Sequence, residues 1–139
     1  MAPSTRLTLH GSLDELVQVA EAFEAFAAAH GLSDDVQGIM QLALEETIVN
    51  VIKHGYGGLP GPIVVDMTVD AGEVTITIAD SAAPFNPLDA PPPRLDAPLA
   101  EKKPGGLGIH LVKSMMDSVV YQRVENGNRF TMRKRDGNP

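Results

Sequence analysis

The sequence predicts an α+β fold, a two-layer α/β sandwich with a mostly antiparallel sheet and helices on one face. Three observations carry this prediction. Ile63–Asp70 and Glu73–Asp80 are alternating apolar runs joined by the tight turn Asp70-Ala71-Gly72-Glu73, the pattern of an antiparallel hairpin. A second pair of runs, Val119–Glu125 and Arg129–Arg135, flanks Asn126-Gly127-Asn128 and reads the same way. The remaining ordered segments repeat apolar residues every three or four positions, the period of amphipathic helices.

The elements follow in chain order. Thr5–His10 alternates, with Leu7 and Leu9 on one face, and reads as a short edge strand ended by Gly11. Ser12 and Glu15 have capping-box spacing. The helix after them has the stripe Leu16, Val19, Ala20, Phe23, Phe26 and Ala27, with Gly31 as its stop. Ser33 caps the next helix, and Asp34 and Asp35 suit its positive end. Val36, Met40, Ala43, Leu44, Thr47 and Val51 form the buried stripe of that helix, which ends near His54-Gly55. Tyr56–Pro62 is a loop. Ser81–Pro104 has no periodicity and seven prolines; such a stretch inside a small domain is usually functional or mobile. A helix from about Gly106 to Met116 follows, with Leu107, Leu111, Val112 and Met115 as core positions. The tail from Asp136 is expected to fray.

Composition narrows the function classes. The 139 residues suit one domain spanning 1–139, and a 43% hydrophobic content allows a sizeable core. With no Trp and 4% aromatic residues, that core must be aliphatic and Met-rich. The absence of cysteine excludes disulfides, thiolate zinc sites and Cys nucleophiles. A net charge of −7 argues against nucleic acid or an anionic membrane as a direct partner. It does not exclude a nucleotide, because backbone N–H groups hold phosphates without a basic surface. No apolar run approaches the ~20 residues of a membrane span, and Met1–Arg6 carries no signal-peptide core. A cytoplasmic protein is expected.

Three constellations carry chemistry. Glu46, Asn50 and His54 fall at i, i+4 and i+8 and so share one narrow helical face, among Ile, Val, Leu and Ala. Asp80 ends an apolar strand and is followed by Ser81-Ala82-Ala83-Pro84-Phe85-Asn86-Pro87. Gly105-Gly106-Leu107-Gly108 opens a helix. Each is weak alone: a polar row often faces solvent, an acid after a strand often only forms a turn, and a lone Gly-x-Gly is common. Their order and spacing are far more specific.

In that order they resemble the GHKL (Bergerat-fold) ATPases and, more narrowly, the anti-sigma-factor serine/threonine kinases of bacterial partner-switching modules. Glu46-Thr47-Ile48-Val49-Asn50 with Lys53-His54-Gly55-Tyr56 is similar to the family's N-box. Asp80–Pro87 is similar to its first glycine box, and Gly105-Gly106-Leu107-Gly108-Ile109 with Val112 and Met116-Asp117 to its second. The resemblance implies ATP bound between the helical layer and a lid at about 81–104, with Mg²⁺ held by Asn50. The carboxamide oxygen of Asn50 is chemically suited to a hard cation, which with ATP takes few protein ligands. Glu46, one turn earlier, is the implied catalytic base toward an incoming hydroxyl. Asp80, an acceptor-only carboxylate, is the implied reader of the adenine amine. Gly106 and Gly108 let the backbone approach the phosphates at the helix they open.

Other positions keep two readings. Lys102 and Lys103 add charge to a closed lid or are solvated loop lysines. Thr131 completes the adenine pocket or simply suits a strand. His54 hydrogen-bonds near the phosphates or caps the helix end, where a cation is favoured. One position departs from the family. The usual Asp-x-Gly is here Asp80-Ser81-Ala82, and at positive φ an alanine would cost on the order of 1 kcal/mol. The resemblance implies a kinase acting on a STAS-type anti-anti-sigma (antagonist) protein, a sigma factor or other regulator as the second partner, and a homodimer. Ala82 keeps open an alternative: a nucleotide-dependent binding module that sequesters a regulator with little or no kinase activity.

Overall fold

The computed structural model describes residues 4–89 and 106–136. Five strands form one antiparallel sheet in the order β1-β2-β3-β5-β4. They are β1 (Ser4–Leu9), β2 (Ile63–Asp70), β3 (Glu73–Asp80), β4 (Ser118–Val124) and β5 (Gly127–Arg135). Three helices accompany them: α1 (Leu16–His30), α2 (Asp34–Asn50) and α3 (Gly106–Met115). The expected α+β sandwich is thus observed, with β1 at a sheet edge.

Strand alternation divides the sheet into two chemically different faces. Leu9, Ile63, Val65, Met67, Val74, Ile76, Ile78, Phe130 and Met132 point to the helical layer and are buried. They meet Val19, Phe23 and Phe26 of α1 and Met40, Leu44 and Ile48 of α2 in one core. The opposite face aligns Thr77 with Thr131 and Thr75 with Arg133, and Arg6 ion-pairs with Asp66 at 2.8 Å. A threonine and arginine face of this kind meets water without an apolar cover.

The helix ends follow their sequence signals. Ser12 and Glu15 form the capping box, although the turn they open is a 3₁₀ turn, Leu13–Glu15, leading into α1. Gly31 ends α1 at φ 62°, the left-handed position glycine adopts at least cost. The Ser33 hydroxyl accepts from the Val36 amide at 3.3 Å to cap α2. All six residues of the expected α2 stripe are buried. Gly38, by contrast, sits mid-helix on the exposed face, and nothing lies within 4 Å of where its Cβ would be. A glycine there costs about 1 kcal/mol relative to alanine, and no contact within the described residues explains it.

Two boundaries differ from the sequence reading. Met115 is exposed and Met116 takes the core position, because the helix ends at Met115 and the chain turns inward toward β4. The second hairpin turns at Glu125-Asn126, one residue early, with Val124 paired to Gly127. Asn126, the second residue of that turn, takes the left-handed conformation at φ 59°, which Asn adopts more readily than most residues.

Candidate functional site

Asp80 and Asn128 face each other across the β3–β5 ladder on the helical side of the sheet. Asn128 is buried, and its amide donates to Asp80 Oδ1 at 2.8 Å and to the Ala83 carbonyl at 3.0 Å. Its Oδ1 accepts from the Phe85 amide at 3.3 Å and from the Tyr121 hydroxyl. One carboxamide therefore holds both the carboxylate and the loop after it. The Ala82 amide also donates to Asp80 Oδ1, at 2.9 Å. With Oδ1 doubly engaged and Oδ2 accepting nothing among the described residues, Asp80 presents one open acceptor. Gly127 makes this close ladder possible, since a Cβ there would lie 2.0 Å from the Asp80 carbonyl oxygen.

Ala82 is buried, and it is not among the residues with positive φ. The strain that its replacement of glycine would bring in the left-handed region is therefore absent. Arg123 Nη1 donates to the Ala82 carbonyl at 2.8 Å and fixes the loop from the β4 side.

The helical wall of the site is the last turn of α2. Asn50 is buried, and its Nδ2 donates to the Glu46 carbonyl at 2.9 Å. That bond uses the amide end and leaves the carboxamide oxygen without a donor among the described residues. Glu46 is half-buried, and burial raises its carboxyl above the usual range; Lys53 opposes this shift and Glu45 adds to it.

Beyond Asn50 the helix widens into a π-turn, Val51–Gly55, closed by the Tyr56 amide on the Val51 carbonyl at 2.9 Å. Such turns are rare and concentrate at functional sites. The wider turn takes His54 out of strict register with Glu46 and Asn50, and its ring stacks on Phe85, centroids 5.7 Å apart. The turn also delivers Tyr56 to the end of the β2–β3 hairpin. Its hydroxyl accepts from the Ser81 amide at 2.8 Å and donates to the Pro62 carbonyl at 2.5 Å. Burial raises the Tyr56 phenol and coulombic repulsion from Asp80 adds to that, against the Ser81 hydrogen bonds that lower it.

Gly106, Leu107, Gly108 and Ile109 form the first turn of α3, whose free amides and positive end suit phosphate. His110 follows this turn with Nε2 buried and unpartnered among the described residues. Lys103, Gly105 and most of the expected lid lie outside the described residues. Thr131, the remaining expected site residue, lies on the sheet face away from the helices, opposite Thr77. Asn128, three positions earlier, stands beside Asp80 instead. The sequence held one signal for it, its place just after the Asn126-Gly127 turn, but only the strand register pairs it with Asp80.

The donors suit the groups that the resemblance implies. Asp80 Oδ2 is open to an amine, and the Asn50 oxygen is open to a hard cation. The described residues contain no cluster of three or more His, Asp or Glu that would hold a metal alone. A cation at Asn50 would therefore complete its shell with phosphate oxygens and water, as Mg²⁺ does with ATP.

Comparisons with known proteins identify the family and the fold. The model of the histidine kinase-like ATPase domain matches residues 9–134. BtrW of Bordetella bronchiseptica, named a serine/threonine-protein kinase, is 31% identical over 94 residues, 67% of this chain and 66% of that protein. An anti-sigma F factor of Clostridium botulinum is 28% identical over 120 residues, 82% of this chain and 81% of that protein. Among solved structures, the RsbU and RsbW domains of a Mycobacterium tuberculosis protein share the fold. The TM-score is 0.72 at 17% identity, covering 99% of this chain and 33% of that one. The chain belongs to the histidine kinase-like ATPase family, among relatives that carry the names serine kinase and anti-sigma factor.

Proposed function

We propose that the protein is an Mg-ATP-dependent serine/threonine kinase that phosphorylates a STAS-type antagonist protein and acts as the anti-sigma switch of a partner-switching module. The observation that carries this reading is the ring stacking of His54, in the turn after Asn50, on Phe85, in the loop after Asp80, with centroids 5.7 Å apart. It joins the segment that follows Glu46 and Asn50 to the loop that Asn128 ties to Asp80.

In this reading Asp80 Oδ2 accepts the adenine amine, and the first turn of α3 receives the phosphates. Mg²⁺, when bound, neutralises charge on the phosphates undergoing transfer. Asn50 presents its carboxamide oxygen to the cation. Glu46 accepts the proton of the incoming serine or threonine hydroxyl as that oxygen bonds to the γ-phosphorus and the bond from the γ-phosphorus to the β,γ-bridging oxygen breaks, with ADP as the leaving group. Its raised pKa makes it a stronger base than an ordinary glutamate. Lys103 and the 81–104 segment act as the lid, and the kinase works as a homodimer in the cytoplasm. The alternative of a catalytically silent binding module rested on strain at Ala82, and the ordinary backbone there favours the kinase.

The test is transfer of label from γ-labelled ATP, with Mg²⁺, to the STAS-domain protein encoded nearby. Label on a serine or threonine of that protein, lost in Glu46→Gln and Asn50→Ala, is the expected result. Tight partner binding and tight ATP binding with no label transfer would reject the kinase and leave the binding module.

A further inference from the structure

The exposed face of α2 and the end of α3 enclose an open groove of about 410 Å³, lined by Asp34, Asp35, Gly38, Ile39, Leu42 and Met115. Its floor is apolar, and Leu42 and Met115 are each 38% exposed. Its rim is acidic, and neither Asp34 nor Asp35 is ion-paired among the described residues. Gly38 lies between rim and floor with open space where its Cβ would be. Small residues on a helix face let a second backbone come close, and apolar positions spaced along that face match the anchors of a docked helix. The destabilising glycine, unexplained by any contact among the described residues, is explained by such an approach.

We propose that this groove docks a basic amphipathic helix of a partner protein. Its apolar anchors would lie on Ile39, Leu42 and Met115, its backbone would pass over Gly38, and its Lys or Arg residues would meet Asp34 and Asp35. The partner is basic because both rim charges are acidic and the protein carries −7 overall. The groove is centred about 12 Å along α2 from Glu46, eight residues at ~1.5 Å each. Leu42 lies one turn from Glu46 on the same face of α2, so the test reads peptide occupancy and not phosphoryl transfer, and its failure is distinguishable from failure of the kinase reading.

The probes are two synthetic amphipathic helical peptides with the same leucine face, one flanked by lysines and one by glutamates. Binding is read by fluorescence anisotropy, and the site by amide chemical shifts. The lysine peptide is expected to bind at least tenfold tighter than the glutamate peptide, with shifts centred on Gly38, Leu42 and Met115. Gly38→Leu leaves the charge unchanged and fills the seam, and is expected to weaken that binding at least tenfold while ATP binding stays the same. Gly38→Ala is expected to raise Tm by about 3–5 °C and to weaken the peptide. Equal binding of both peptides, or binding that Gly38→Leu leaves untouched, overturns the proposal. A concentration-dependent dimer that Gly38→Leu dissociates also overturns it, by assigning the groove to a second copy of the chain.

Discussion

Glu46 is under two opposed demands. As a base it must give up its proton near neutral pH, and as a half-buried group it resists carrying charge. Its folded-state pKa is raised above the unfolded value, so the ionised side chain destabilises the fold at pH above both values. That penalty fades as pH falls below the ordinary glutamate range, where both states are protonated. Glu46→Gln is therefore expected to raise stability at pH 7.5 and to change it little at pH 3.5, measured by urea unfolding at the two pH values. The same substitution is expected to lower kcat by about 10²–10⁴-fold with ATP affinity within about threefold. A kcat within tenfold of the parent would remove Glu46 from the role of base. Ala82 yields an opposite kind of prediction. Because its backbone is unstrained, Ala82→Gly should gain no ATP affinity and should lose about 0.5–1 kcal/mol of stability through the freer unfolded chain. A tenfold gain in affinity by calorimetry would show that the methyl group obstructs the nucleotide.

At the scale of elements, the site depends on side chains that tie one element to another. The Tyr56 hydroxyl joins the end of the π-turn to both ends of the β2–β3 hairpin, at Pro62 and Ser81. Tyr56→Phe keeps the ring and removes the tie. It should cost about 1 kcal/mol and speed amide exchange at Ser81. Unchanged protection of that amide would mean that the hydroxyl holds nothing. Asn128 does the equivalent work between β5 and the loop after β3. Asn128→Ala strips a donor from Asp80 and leaves the half-buried Tyr121 hydroxyl and the Phe85 amide without their acceptor. The expected loss is about 1–3 kcal/mol of stability, together with at least tenfold weaker ATP binding by calorimetry. Thr131→Val, on the other face of the sheet, should leave ATP affinity within twofold.

At the scale of the whole molecule, a nucleotide held by both Asp80 of the sheet and Asn50 of α2 would join the two layers and so stabilise their union. Mg-ATP at a hundredfold above its Kd is expected to add about 2.7 kcal/mol, seen as a rise in Tm. Chelating the metal should remove most of that rise, and Asn50→Ala should make the rise independent of metal. A Tm indifferent to ATP would refute nucleotide binding at this site. The two faces of the sheet differ for the same large-scale reason. One is covered by α1 and α2 and is aliphatic, while the other carries threonines and arginines and needs no cover.

The sequence by itself determined most of the elements and named the residues of the candidate site. Local signals sufficed where the physics is local. Alternation placed β2 and β3 to the residue, capping residues placed the helix starts, and helical spacing put Glu46 and Asn50 one turn apart. The tertiary structure decided what depends on register and on contacts far apart in the chain. Thr131 and Asn128 both sit on a β-strand in the same short stretch, and only pairing with β3 shows which of them faces Asp80. The widened turn after Asn50 does not show in residue spacing, so His54 reads as the third member of a row until the π-turn carries it to Phe85. The strain expected at Ala82 depended on a backbone angle, and no residue type fixes that angle outside its three-dimensional setting.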